Sequence, residues 1–224
     1  MTETNTSGII TAAADIIAGA FNALPKRVCN QHKFSDYADY LHENLPAQAE
    51  LDLQREKPLN PAPLVSVAIA CSGASRAAVR STLEALGKQT YANFEVCVVS
   101  ELAQAGLTDY EGIPKFRLVL FNGTAHEQLK AAEKMLNGAY FLQLLPGDLP
   151  APDALHMLVL QTHANPEAEV VFADEDSVID GIRQNPIFKP DYGRDTLRSF
   201  NSIGRPMLVS KRVHTAVGGF RGST

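Results

Sequence analysis

The chain has 224 residues, of which 45% are hydrophobic and 20% charged, and its net charge is −5. That size suits one α/β domain with an extension, and the composition is ordinary for a globular protein, with no repeat or low-complexity tract. The acidic surplus argues against a general nucleic-acid binder, which carries a basic one. Cys29, Cys71 and Cys97 have no metal-ligand spacing; Cys71 and Cys97 sit in or beside apolar strand patterns and read as core thiols, which fits a reducing, cytoplasmic compartment. No basic-then-apolar leader opens the chain, and no run reaches the ~20 apolar residues of a spanning helix.

Residues 1–7 are polar. Ile10, Ile17, Phe21 and Leu24 fall on one face of a helix expected over 9–24, a stretch that needs cover from its own domain, from a second copy or from a protein partner. A membrane-surface role is the rival, weakened because the polar face has few Lys or Arg. A second helical stretch is expected from about Phe34 to Glu56, with Ser35 and Asp36 able to cap it and Pro46 breaking it. The three prolines of 57–63 make a stiff linker. The expected division is therefore a helical extension over 1–61 and a main domain over 62–224.

The main domain alternates strands and helices. Strands are expected at 64–71, 94–99, 115–121, 140–145 and 169–173, with helices near 77–88, 125–136 and 152–163. Near-continuous apolar strands separated by helices mean a mostly parallel βαβ sheet. After Ala173 the pattern loosens. Asp180-Gly181 suits a turn, Pro206 to Ser210 a short strand, and Gly218-Gly219 the end of a short helix. Asp148 stands just past the strand ending at Leu145, where sheets of this class bind ligands. Asp174, Glu175 and Asp176 crowd three carboxylates at another strand end, which costs repulsion unless a cation or ligand relieves it. Arg183, Lys189 and Arg205 are their candidate partners, and a purely structural ion-pair cluster is an equal alternative.

Several segments, in order, resemble the family 2 glycosyltransferases of the GT-A fold, in their bacterial polysaccharide form. They are Pro63-Leu-Val-Ser-Val-Ala-Ile, Gln89-Thr90-Tyr91 with Asn93-Phe94-Glu95, Pro152-Asp-Ala-Leu155, Phe172-Ala-Asp-Glu-Asp176, Phe188-Lys-Pro-Asp-Tyr192, Asn201 and Val217-Gly-Gly-Phe220. The resemblance covers about residues 37–220 and implies an α/β, Rossmann-like GT-A domain behind a helical extension. It also implies transfer of a sugar from a nucleotide-diphosphate sugar to a glycan or lipid-linked acceptor, in the cytoplasm or at the inner membrane face, for cell-surface polysaccharide synthesis. The alternative is a degenerate domain that binds or scaffolds without catalysis. Such chemistry needs a cation against the diphosphate and a carboxylate base for the acceptor.

By ungapped match, the donor-binding candidates are Ala70, Ser72, Glu101, Lys130, Asp148, Asp174, Asp176 and Lys189. The family's Asp-x-Asp-Asp falls on Leu145, Pro146, Gly147 and Asp148. The expected metal-ligand position is thus Gly147, which leaves Asp148 as the candidate ligand for Mn2+ or Mg2+. Lys130 is a phosphate partner or a solvated helix lysine. Lys189 and Asp191 would order the loop beside the sugar site. The catalytic base expected from the resemblance would lie beyond Thr224, with the acceptor half of the site missing from this sequence.

Overall fold

A computed structural model of the chain describes residues 37–101 and 113–220. The helix expected over 9–24, the capping residues Ser35 and Asp36, and Cys29 lie outside the described residues. The first described elements are two short helices, α1 (Tyr37–Asn44) and α2 (Gln48–Glu56), separated at Pro46 as a residue without an amide hydrogen requires. The main domain follows as β1 (Val65–Ala70), α3 (Arg76–Gly87), β2 (Phe94–Ser100), β3 (Phe116–Leu120), α4 (Ala125–Glu133), β4 (Tyr140–Leu144) and α5 (Ala154–Ala164). It closes with β5 (Val170–Phe172), β6 (Glu175–Ile179), β7 (Ile182–Ile187), α6 (Arg194–Ser199), β8 (Met207–Ser210) and α7 (Lys211–Ala216).

Six strands make one sheet in the order β3-β2-β1-β4-β8-β5, and β6 and β7 make a separate hairpin. β1 pairs in parallel with β2 and β4, and β2 with β3, whereas β8 runs antiparallel between β4 and β5. The α/β class with a mostly parallel sheet, expected from the sequence, is what the structure has. Every residue of β1 and β2 is buried. Side chains alternate across the sheet, so Val65, Val67 and Ile69 enter one core layer with Val79, Leu83 and Leu86 of α3 and with Leu155, Leu158 and Val159 of α5. Ala68 and Ala70 enter the other, with Leu129 and Ala132 of α4 and with Phe220. Helices thus cover both faces, as a sheet with buried strands requires.

Helix starts are set by local chemistry. Ser75 Oγ accepts from the Ala78 amide at the head of α3, and Thr124 forms a capping box with Glu127 at the head of α4. The hairpin β6–β7 was legible only as a turn. Asp180 and Gly181 have φ of 52° and 78°, the two positive values of a tight hairpin turn, but the strands either side are half exposed and carry no clean alternation. The extension packs on the main domain at both ends. Leu51 of α2 is buried, and Gln54 accepts a 2.7 Å hydrogen bond from Thr90. Tyr37 and Tyr40 of α1 meet Phe188 edge-on at centroid distances of 6.4 and 5.1 Å. No helix among the described residues is long and apolar enough to cross a membrane.

Candidate functional site

Strand order runs outward from β1 in both directions, with β2 and β3 on one side and β4 on the other. The connections therefore part at the carboxyl ends of β1 and β4 and leave a crevice there, the general ligand position of open α/β sheets. Ala70 ends β1 and is buried, so it contributes backbone and core contact. Ser72, two residues on, donates from Oγ to Glu101 Oε1 at 3.3 Å, and Glu101 directly follows β2. The structure thus brings these two candidates together at adjacent strand ends, with Glu101 exposed.

The turn after β1 is held by a residue that the sequence reading missed. Gln128 of α4 is fully buried, and its Oε1 accepts from the amides of Cys71 and Ser72, both at 2.9 Å. Its Nε2 donates to the Phe121 carbonyl at 3.2 Å. A polar residue on the apolar face of an expected helix was the available signal, because a buried amide needs partners. Cys71 is a core thiol, and burial pushes it up to about 11, so it stays protonated and unreactive.

Past β4 the chain turns at Leu145–Asp148. The Gly147 amide donates to the Ala78 carbonyl at 3.0 Å and to Thr82 Oγ1 at 2.9 Å, with φ of +99°. That backbone conformation favours glycine, so the missing side chain at the expected metal position suits the turn itself. Asp148 Oδ2 accepts from its own turn's Leu145 amide at 2.8 Å and from Arg205 Nε at 3.0 Å. Arg205 was expected beside the 174–176 carboxylates; it pairs instead with Asp148 across the β4–β8 side of the crevice.

The three carboxylates after β5 each have a partner. Asp174 Oδ1 accepts from the Lys189 amide at 2.8 Å, and Glu175 lies 3.4 Å from Lys189 Nζ. Asp176 Oδ2 accepts from Arg183 Nε at 2.6 Å and from the Tyr37 hydroxyl at 2.5 Å. Burial and the Asp176 hydrogen bond push the Tyr37 phenol up to about 12, which keeps it a donor. Lys189 has a side chain only 2% exposed, and Nζ also donates to the Arg205 carbonyl at 2.7 Å. Its role is to tie the 174–176 segment to the loop before β8. Lys130 lies elsewhere: it bridges Glu133 at 3.0 Å and the Gly218 carbonyl at 2.6 Å, which anchors the chain after α7. His214 completes that anchor. It stacks on Phe141 at 4.2 Å and meets Glu133 at 2.9 Å, and burial lowers its pKa.

A divalent metal on Asp148 does not fit these residues. Among the described residues no group of three His, Cys, Asp or Glu side chains is placed to hold one. The single carboxylate at the turn already carries a guanidinium and an amide, and the position before it has no side chain. What the crevice offers instead is Glu101 with Ser72 as a hydrogen-bonding pair on one side, and Arg205 oriented by Asp148 on the other. A cavity of about 180 Å³ adjoins the hairpin, lined by Tyr37, Tyr40, Asn44, Asp174, Glu175 and Phe188 among others. A larger one of about 240 Å³ lies under the linker, beside Thr90 and His156, and does not include these residues.

No protein-family model matches the chain. An uncharacterized protein of Sinorhizobium fredii is 32% identical in an alignment of 168 residues that covers 71% of this chain and 18% of that protein. The O-antigen biosynthesis protein RfbC of Myxococcus xanthus is 26% identical over 196 residues, 84% of this chain and 15% of that protein. The chain thus spans less than a fifth of the length of these curated relatives. Among solved structures, a mannosyltransferase from Pyrobaculum calidifontis, in complex with GDP-Man and Mn2+, aligns over 94% of this chain and 59% of its own with a TM-score of 0.47 and 17% identity. S. aureus TarS in complex with UDP aligns over 53% of this chain and 37% of its own, with a TM-score of 0.41 and 16% identity. The similarity to an O-antigen biosynthesis protein runs over most of the chain, the same stretch that carries the motifs given above.

Proposed function

We propose that this chain forms the donor-binding part of a family 2 glycosyltransferase of the GT-A fold, taking a nucleotide-diphosphate sugar for cell-surface polysaccharide assembly. The observation that carries the reading is the Ser72–Glu101 hydrogen bond, 3.3 Å long, at the point where strand order reverses. An exposed carboxylate there accepts N–H or O–H donors from a nucleobase or ribose, and Ser72 holds it in place. The Asp148–Arg205 pair faces the same crevice from the β4 side, where a diphosphate would follow the nucleoside. The sugar acceptor is a glycan or lipid-linked glycan, and the protein works in the cytoplasm, peripheral to the inner membrane. Residues 9–24 serve self-association or a protein partner; deleting residues 1–30 then lowers the number of copies per particle found by light scattering, and an unchanged number contradicts self-association.

The test of the donor reading is calorimetric titration with UDP, GDP and dTDP, using AMP as a control. One nucleoside diphosphate is expected to bind, and to bind more weakly to Glu101→Gln. Absence of binding by all three, in protein shown to be folded, refutes the reading.

One observation favours a second reading, a glycosyltransferase-like scaffold without catalysis. Asp174, Glu175 and Asp176 all spend their charge on partners within the chain. Nucleotide binding with no release of nucleoside diphosphate from any nucleotide sugar, with polysaccharide acceptors present, supports the scaffold. Turnover excludes it.

A further inference from the structure

We infer that the positive charge facing a diphosphate in this crevice is the Arg205 guanidinium, and that the site takes a nucleoside diphosphate without a divalent metal. The inference rests on the donor reading above and replaces the metal that the resemblance implies. Three observations carry it.

Arg205 is fixed at both ends. Its carbonyl accepts from the buried Lys189 Nζ at 2.7 Å, and its Nε donates to Asp148 Oδ2 at 3.0 Å. The loop that presents it is tightly seated. Asn201 Oδ1 accepts from the Ile203 and Gly204 amides, both at 3.2 Å. A Cβ on Gly204 would lie 2.5 Å from Glu175 Oε1, so the backbone approaches as closely as glycine allows.

The side chain is 43% exposed, and only Nε is engaged. The two terminal amino groups make no hydrogen bond among the described residues. An arginine held through Nε by a carboxylate presents those groups as a planar fork, the geometry that binds phosphate oxygens in pairs. Asp148 is then a positioning residue rather than a ligand of a cation.

Asp148 Oδ2 is taken by the Leu145 amide and the guanidinium, so a metal would have to sit on the other oxygen of the same carboxylate, where the two cations repel at short range. Gly147 supplies no second ligand, and its φ of +99° disfavours the carboxylate residue that would. Arg205 instead offers a diphosphate the charge-assisted hydrogen bonds of its two terminal amino groups, in the place where a divalent ion would sit.

The experiment is calorimetry with the tightest of UDP, GDP and dTDP, in EDTA and then in Mn2+. The variants are Arg205→Gln, Arg205→Lys and Asp148→Asn, with thermal melts of each, and inorganic pyrophosphate serves as a competing probe. Binding is expected in EDTA and little changed by Mn2+. Arg205→Gln weakens it by about ten- to a hundredfold, the usual effect of removing charge-assisted hydrogen bonds. Arg205→Lys restores part of the loss, and pyrophosphate competes with wild type but not with Arg205→Gln. Because melts alone do not separate misfolding from lost binding, the Lys variant decides the case if Arg205→Gln is unstable: weakened binding and weakened pyrophosphate competition in folded Arg205→Lys support the inference, and wild-type values for both overturn it. Binding that requires Mn2+ and is lost in Asp148→Asn, or binding in EDTA indifferent to Arg205, overturns the inference and leaves the donor reading standing. No binding of any nucleotide in either condition overturns both.

Discussion

Glu95 shows how one side chain ties the far end of the sheet together. It is 1% exposed in β2, yet it carries a charge because three donors meet it: Ser66 Oγ at 2.7 Å, the Asn137 amide at 2.6 Å and Arg117 Nη1 at 2.7 Å. Burial by itself would raise its pKa, but these hydrogen bonds and the Arg117 charge outweigh it and hold the carboxyl below its ordinary 4.5. The sign follows from that depression. The stability Glu95 contributes is complete above pH 4.5 and is lost as pH falls through the lower, folded-state value. Glu95→Gln should therefore lower the urea midpoint at pH 7 and flatten its fall with acid below pH 4.5. Equal acid sensitivity of variant and wild type would contradict this role. Ser66 and Glu95 interrupt apolar strands, and as strand residues they gave no hint of each other; only the parallel register that places Ser66 opposite Glu95 explains both.

At the scale of elements, α4 is the part that shapes the crevice. Its capping box sets where the helix begins, and that register delivers Gln128 to the turn after β1. Gln128→Ala removes the acceptor of the Ser72 amide and one of the two acceptors of the Cys71 amide, which keeps the Val99 carbonyl. It is expected to cost about 1–3 kcal/mol, near the penalty for one unsatisfied group, and to weaken nucleotide binding by displacing Ser72. A urea midpoint and an affinity both at wild-type level would refute that. The strands and helices of the parallel half were legible because buried strands read as apolar runs and their helices carry a single apolar face. The hairpin was not, since its strands are half exposed and its role is to hold carboxylates against Arg183 and Lys189 rather than to fill a core. The candidate residues after β1, β2 and β4 were legible by position alone. Arg205 was misassigned and Gln128 missed, because both act on residues more than fifty positions away in sequence.

For the whole molecule, the two halves of the described chain serve different purposes. The parallel half, from β1 to β4, presents the strand ends; the rest, from β5 to α7, closes around them with Arg205 and is anchored at its end where His214 and the Gly218 carbonyl meet Glu133 and Lys130 of α4. The extension is part of that closure, since Tyr37 reaches Asp176. The most direct test of the account maps where a nucleoside diphosphate sits. Amide resonances of the labelled full chain should be recorded by NMR during titration with the nucleotide that binds. The largest shifts are expected on Cys71, Ser72, Glu101, Gly147, Asp148 and Arg205. Saturable binding with its largest shifts elsewhere, for example around Thr90 and His156, would contradict a donor site at the strand ends.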